Sequence, residues 1–198
     1  MSKVGGTSSN LLDKECFDDI TNLVRPTTCL DIGVGMGKFG KFIKKNDKKC
    51  KVIGFELCEC KVDFSKKHLE DKYDLIINED FWQWIHKSIY RQKIVNSKNI
   101  KALEKELNWS SDLVVFGDVL EHMLKSRVFD VLDFCEYRTK WMTLVIPLNL
   151  RQGSHASSIT LDDLKKYNIV HYVKKDFLTY YLIRGMVPLK EKTHLNIK

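Results

Sequence analysis

The 198-residue chain carries 33 Lys and Arg against 26 Asp and Glu, a net charge of +7, with 43% hydrophobic and 30% charged residues. That length predicts one compact domain over residues 1–198, large enough for a sizeable core, and the balance is that of an ordinary globular protein. No run is long and apolar enough to span a membrane, and residues 1–10 lack the apolar core of a secretion signal, so the expected location is cytoplasmic. The positive charge admits an acidic partner such as nucleic acid or an anionic small molecule, and equally a merely basic surface, because the lysines are spread along the chain.

Residues 1–10 read as a flexible lead. Leu12, Cys16, Ile20 and Leu23 fall on one face and predict a helix over 11–24, capped by Ser9 or Asn10 and ended by Arg25-Pro26. A first strand over 27–32 runs into Gly33, Gly35 and Gly37. Phe39, Phe42 and Ile43 then mark a helix over 37–46. A second strand over 51–55 ends at Glu56-Leu57, a helix over 60–70 follows, and a third strand over 73–78 ends at Glu79-Asp80-Phe81. Residues 81–108 read as a long helical connection. A fourth strand over 112–116 precedes a helix over 119–135, and a fifth over 141–146 is closed by Pro147. A polar loop over 149–158, a short helix over 160–167 and two strands over 169–173 and 178–183 complete the fold, before a frayed tail at 190–198. Strands alternating with helices predict an α/β, doubly wound, mostly parallel seven-stranded sheet with helices on both faces. Lys174-Lys175-Asp176 suits a hairpin turn, so one of the last two strands is expected to be antiparallel.

Six cysteines, Cys16, Cys29, Cys50, Cys58, Cys60 and Cys135, show neither a disulfide framework nor a zinc spacing. Reduced thiols and no metal site are the expectation.

The chemistry is concentrated where the strands end. Asp31-x-Gly33-x-Gly35-x-Gly37 sits between a strand and a helix N-terminus, where glycines let a ligand approach backbone N–H groups closely. The overlapping Gly35-x-Gly37-x-x-Gly40 fits a dinucleotide fingerprint as well. Asp31 separates the two: a carboxylate repels a pyrophosphate but suits a cationic ligand. Ligands in open α/β sheets bind beyond the carboxyl ends of the strands. Glu56 there suits the hydroxyls of a ribose, beside Leu57. Asp80 suits an adenine amine with Phe81 packed on the ring, although Asp80 would cap the following helix in any case. The fourth strand leads into Asp118-Val119-Leu120-Glu121-His122.

The ordered set Asp31-to-Gly37, Glu56, Asp80 and Asp118-to-His122 resembles the class I, Rossmann-like S-adenosylmethionine (SAM) methyltransferases over the first two-thirds of the chain. The resemblance implies SAM as cofactor, with Asp118 and Val119 bordering its methionine end and the acceptor. His122 and His155 are the candidate bases by residue type, with Asp118 or Glu121 orienting them; a structural role for His122 is an even alternative. The implied reaction is methyl transfer to an O or N atom of a small-molecule or sugar-like acceptor. Nucleic-acid methylation is a weaker alternative. There is no Asn/Asp-Pro-Pro-Tyr/Phe run at Asp118, no Pro-Cys pair, and no lysine after the fifth strand to complete a Lys-Asp-Lys-Glu tetrad. A SAM-binding module without catalysis, and an NAD-linked oxidoreductase, are the other readings.

Overall fold

The computed structural model describes residues 10–59, 61, 63, 71–94, 109–147, 156–175 and 178–195. Helix α1 (Asn10–Val24) leads into strand β1 (Thr28–Ile32), helix α2 (Lys38–Asn46) and strand β2 (Lys51–Phe55). Strand β3 (Leu75–Ile77), helix α3 (Phe81–Ile94) and strand β4 (Ser111–Gly117) follow. A 3-10 turn (Leu120–His122) precedes helix α4 (Lys125–Glu136) and strand β5 (Thr139–Pro147). A second 3-10 turn (Asp162–Leu164) and strands β6 (Asn168–Lys175) and β7 (Leu178–Arg184) complete the sheet.

The seven strands form one mixed sheet in the order β3-β2-β1-β4-β5-β7-β6. All pairs from β3 to β5 are parallel, and β7 runs antiparallel to both β5 and β6. The mostly parallel sheet with one antiparallel C-terminal strand therefore matches expectation. Successive strand residues point to opposite faces. Leu30, Ile32, Val114, Phe116, Leu144 and Ile146 pack with Phe81 and Ile85 of α3 and Val128 and Leu132 of α4. Their neighbours Cys29, Val52, Leu113, Val115 and Val145 pack with Phe17 of α1 and Phe39, Phe42 and Ile43 of α2. Helices thus cover both faces. Each fully buried large apolar side chain stabilises the fold by about 1.5–3 kcal/mol, which is why the central strands are apolar on both sides.

Four expectations change. The helix foreseen over 119–135 is divided into the turn at Leu120–His122 and α4, with Leu124 in extended conformation between them. The short helix over 160–167 is reduced to the turn at Asp162–Leu164. Residues 193–195, foreseen as part of the frayed tail, are docked. Leu195 is 1% exposed, and Thr193 donates to Asp112 Oδ1 at 2.9 Å. Cys58 is disulfide-bonded, whereas Cys16, Cys29, Cys50 and Cys135 are buried free thiols. The lead at 1–9, the second half of the 81–108 connection and most of the helix over 60–70 lie outside the described residues. Among the described residues no helix is long and apolar enough to cross a membrane.

Candidate functional site

The carboxyl ends of β1, β2 and β4 meet at the turn that precedes α2. Gly33 and Val34 donate their N–H groups to Phe55 O at 2.8 and 3.1 Å, which ties the turn to the end of β2. Gly33, Gly35 and Gly37 all have positive φ. At Gly35 a Cβ would meet nothing nearer than Gly33 O at 3.9 Å, so the space above this glycine is open. Gly37, at the N-cap of α2, has no side chain to cap the helix.

Glu56 stands against this cradle, 6% exposed. Its Oε2 accepts from Gly35 N at 2.8 Å and its Oε1 from Cys58 N at 2.8 Å. Each carboxylate oxygen keeps a further lone pair for a hydroxyl donor. Leu57 beside it is exposed. Asn78 fixes this strand end by donating to Glu56 O at 2.8 Å.

Asp31 is fully buried beneath the turn. Its Oδ2 accepts from the Tyr73 hydroxyl at 2.6 Å, and that oxygen in turn accepts from Gly40 N at 3.2 Å. Oδ1 has no hydrogen-bond partner. Burial raises the Asp31 carboxyl from the ordinary range to about 7, against the lowering pull of the Tyr73 bond. The sequence predicts Tyr73 only as the first residue of the third strand, with no role at the site. Its link to Asp31 spans 42 positions, and no local pattern marks it. Gly40 belongs to this packing: a Cβ there would lie 2.3 Å from the Tyr73 ring.

Asp118 closes the other side. Its φ of 51° is a left-handed conformation that few side chains other than Asn and Asp tolerate. Lys38, at the start of α2, reaches Asp118 Oδ2 at 3.3 Å, a bridge between the glycine turn and the end of β4 that the sequence does not signal. Val119 lies so close to Gly33 that a Cβ there would be 2.7 Å from Val119 Cγ2. In the turn that follows, Glu121 is buried and His122 is 46% exposed, with its Nε2 3.9 Å from Glu121 Oε1. Glu121 Oε2 has no hydrogen-bond partner. Burial raises its carboxyl to about 7, and the Asp118 charge adds to the rise.

Asp80 caps α3: its Oδ1 accepts from Gln83 N at 3.1 Å. Phe81 does not stand open for a ligand ring. It is 3% exposed, 4.9 Å from the Phe55 ring and stacked on Trp84 at 5.7 Å, because the apolar face of α3 turns it into the core. His155 lies outside the described residues. Asp31, Gly33, Gly35, Gly37, Glu56, Asp118 and Val119 are thus brought together; Leu57 and Asp80 stand at neighbouring strand ends. The open backbone above Gly35 and the Glu56 lone pairs suit SAM, which offers ribose hydroxyls.

Solved structures share this architecture. TehB from Haemophilus influenzae matches with a TM-score of 0.63 and 13% identity, over 87% of this chain and 62% of TehB. A SAM-dependent methyltransferase from Archaeoglobus fulgidus matches with a TM-score of 0.62 and 14% identity, over 90% of this chain and 95% of that one. The N-methyltransferase NodS from Bradyrhizobium japonicum matches with a TM-score of 0.62 and 12% identity, over 90% of this chain and 99% of NodS. The chain therefore spans less than two thirds of TehB and nearly all of the other two. No protein-family model and no curated protein matches the sequence. The chain has the class I methyltransferase fold.

Proposed function

We propose that this chain is a SAM-dependent methyltransferase that moves a methyl group to an oxygen or nitrogen atom of a small-molecule or sugar-like acceptor. The observation that carries the proposal is the Glu56 carboxylate set against the open Gly35 backbone, with Asp118 at the adjacent strand end. A buried carboxylate beside accessible backbone suits a ligand with hydroxyl donors that must approach closely. It suits a pyrophosphate poorly, since Asp31, Glu56 and Asp118 would repel one. The fold shared with a protein named as a SAM-dependent methyltransferase supports the same reading.

In this reading Glu56 takes the ribose hydroxyls, and Leu57 and Asp80 flank the adenine. Asp31, Gly33, Gly35 and Gly37 form the cradle, and Asp118 and Val119 border the methionine end. Bound SAM supplies an already activated methyl carbon. The chain's own residues place the acceptor in line and take its proton where one must leave. Asp118 orients the acceptor and His122 holds the proton, with His155 as a second base. The acids at these strand ends favour a neutral or cationic acceptor over a polyanionic nucleic acid.

Isothermal titration tests the proposal. SAM and its demethylated product should each bind saturably at one site, and NAD should not. NAD binding in the absence of SAM binding would overturn it.

A further inference from the structure

The cleft between the glycine turn and the end of β4 is acidic. Glu56 is bonded to the turn at Gly35, Asp118 stands at the end of β4, and Asp31 is buried beneath. A ligand that brings a carboxylate here meets repulsion unless a cation is at hand. Lys38, the first residue of α2, is such a cation, and its Nζ lies 3.3 Å from Asp118 Oδ2. Packing fixes where this ammonium stands. The Phe39 ring lies so close over Gly117 that a Cβ there would be 1.7 Å from Phe39 Cε2. The Lys38 ammonium is 4.7 Å from the centre of the same ring. The first turn of α2 therefore rides on the end of β4 and delivers Lys38 beside Asp118. Asp118 is held in turn by its N–H, which donates to Val145 O at 3.3 Å.

Both charged heads are within reach of a ligand. The Lys38 side chain is 20% exposed and that of Asp118 34%. Their bridge is longer than the roughly 2.7–2.9 Å of a strong charge-assisted bond, so either partner can turn toward another charge at small cost. An α-amino acid head carries an ammonium beside a carboxylate. A lysine beside an aspartate offers the opposite signs side by side, so the pair and such a head match charge for charge. SAM ends in a head of this kind. An adenosine without it has no group for Lys38, and a pyrophosphate sets two negative charges against the surrounding acids.

We propose that Lys38 takes the carboxylate of the methionine part of SAM, while Asp118 Oδ2, the oxygen nearer Lys38, faces the ammonium next to it. The other oxygen of Asp118 is left to the acceptor. This assignment rests on the methyltransferase reading and gives it a residue that selects the amino-acid head of the cofactor. Removing Lys38 takes away the partner of the carboxylate and leaves the ammonium its partner, so the two groups of the head respond differently to one substitution.

The probes are S-adenosylhomocysteine and its decarboxylated analogue, the same thioether ending in an aminopropyl group, titrated calorimetrically into the full chain. The parent should bind S-adenosylhomocysteine about tenfold or more tightly than the analogue, the worth of a charge-assisted bond. In Lys38→Met, which keeps an unbranched apolar stem beside Phe39, that preference should fall to about twofold or less, with the analogue bound at least as tightly as by the parent. Lys38→Arg should restore part of it. Equal affinity of the parent for the two ligands, or an equal loss of both in Lys38→Met, overturns the proposal and leaves the methyltransferase reading standing. Binding of neither ligand by the parent overturns both. Thermal melts show whether each variant is folded, and Lys38→Gln takes the place of Lys38→Met if that variant is not.

Discussion

Asp31 sits in an environment that opposes its own charge. Its carboxyl is raised to about 7 chiefly by burial, so the folded chain holds this proton more tightly than the unfolded chain does. The sign follows: the contribution favours the fold below the ordinary carboxylate value and is lost as pH rises through about 7. Asp31→Asn keeps the acceptor for the Tyr73 hydroxyl and removes the titration. The variant should gain stability relative to the parent between about pH 5 and about pH 8, read as urea midpoints. A parent–variant difference that does not change with pH would refute the assignment. The glycines give a second contrast. Gly40→Ala drives a methyl into the Tyr73 ring and should cost about 1–3 kcal/mol, seen as a lower Tm. Gly35→Ala meets open space, so its folding cost should be near the 1–2 kcal/mol of a left-handed alanine, while SAM affinity falls at least about tenfold. Calorimetry and thermal melts on both variants separate packing from binding. Equal loss of affinity in the two would show that Gly35 has no special place.

Elements whose signals are local were the legible ones. The β1–turn–α2 unit could be read because strand, glycines and helix face are contiguous, and β4 because its run is apolar on both sides. The break between Leu120–His122 and α4 was hidden. Leu120 and Val128 are both buried and fit one continuous helix. In such a helix Glu121 O would accept from residue 125; instead Ala156 N and Ser157 N take it at 2.7 and 3.1 Å, so the ladder stops there. The docked C-terminal segment was hidden for the same reason, since its partners are distant. Asp112 accepts from Thr27 N at 2.7 Å, Thr27 Oγ1 at 2.6 Å, Lys140 Nζ at 2.9 Å and Thr193 Oγ1 at 2.9 Å. Burial alone would raise the Asp112 carboxyl, but Lys140, Thr27 and Thr193 outweigh it and hold it below the ordinary range. This group therefore stabilises the fold above that range and its contribution is lost as pH falls. Thr193→Val should cost about 1–2 kcal/mol in urea unfolding and speed exchange of the Ser110 amide, which donates to His194 O. Unchanged exchange would mean that the segment is held by Leu195 alone.

At the scale of the whole molecule, positive charge is spread along the sequence. Among the described residues, Lys44, Lys87, Lys125, Lys166 and Lys175 pair with Asp74, Glu79, Asp163, Asp133 and Glu15 on several elements, rather than forming one bare stripe. Binding to RNA should accordingly be weak and vanish at roughly 0.15 M salt, and it should not compete with SAM. Filter binding across a salt series measures this; tight retention at that salt would restore a nucleic-acid acceptor. The strand order carries one more consequence. β7 is the last strand made, yet it lies between β5 and β6. While the chain is being synthesised, β6 has no neighbour to join and the flank of β5 stays bare until Arg184 has left the ribosome. A product stopped before Leu178 would therefore present a long apolar ribbon to other nascent chains, and its fate in the cell would be decided by chaperones and proteases rather than by its cofactor.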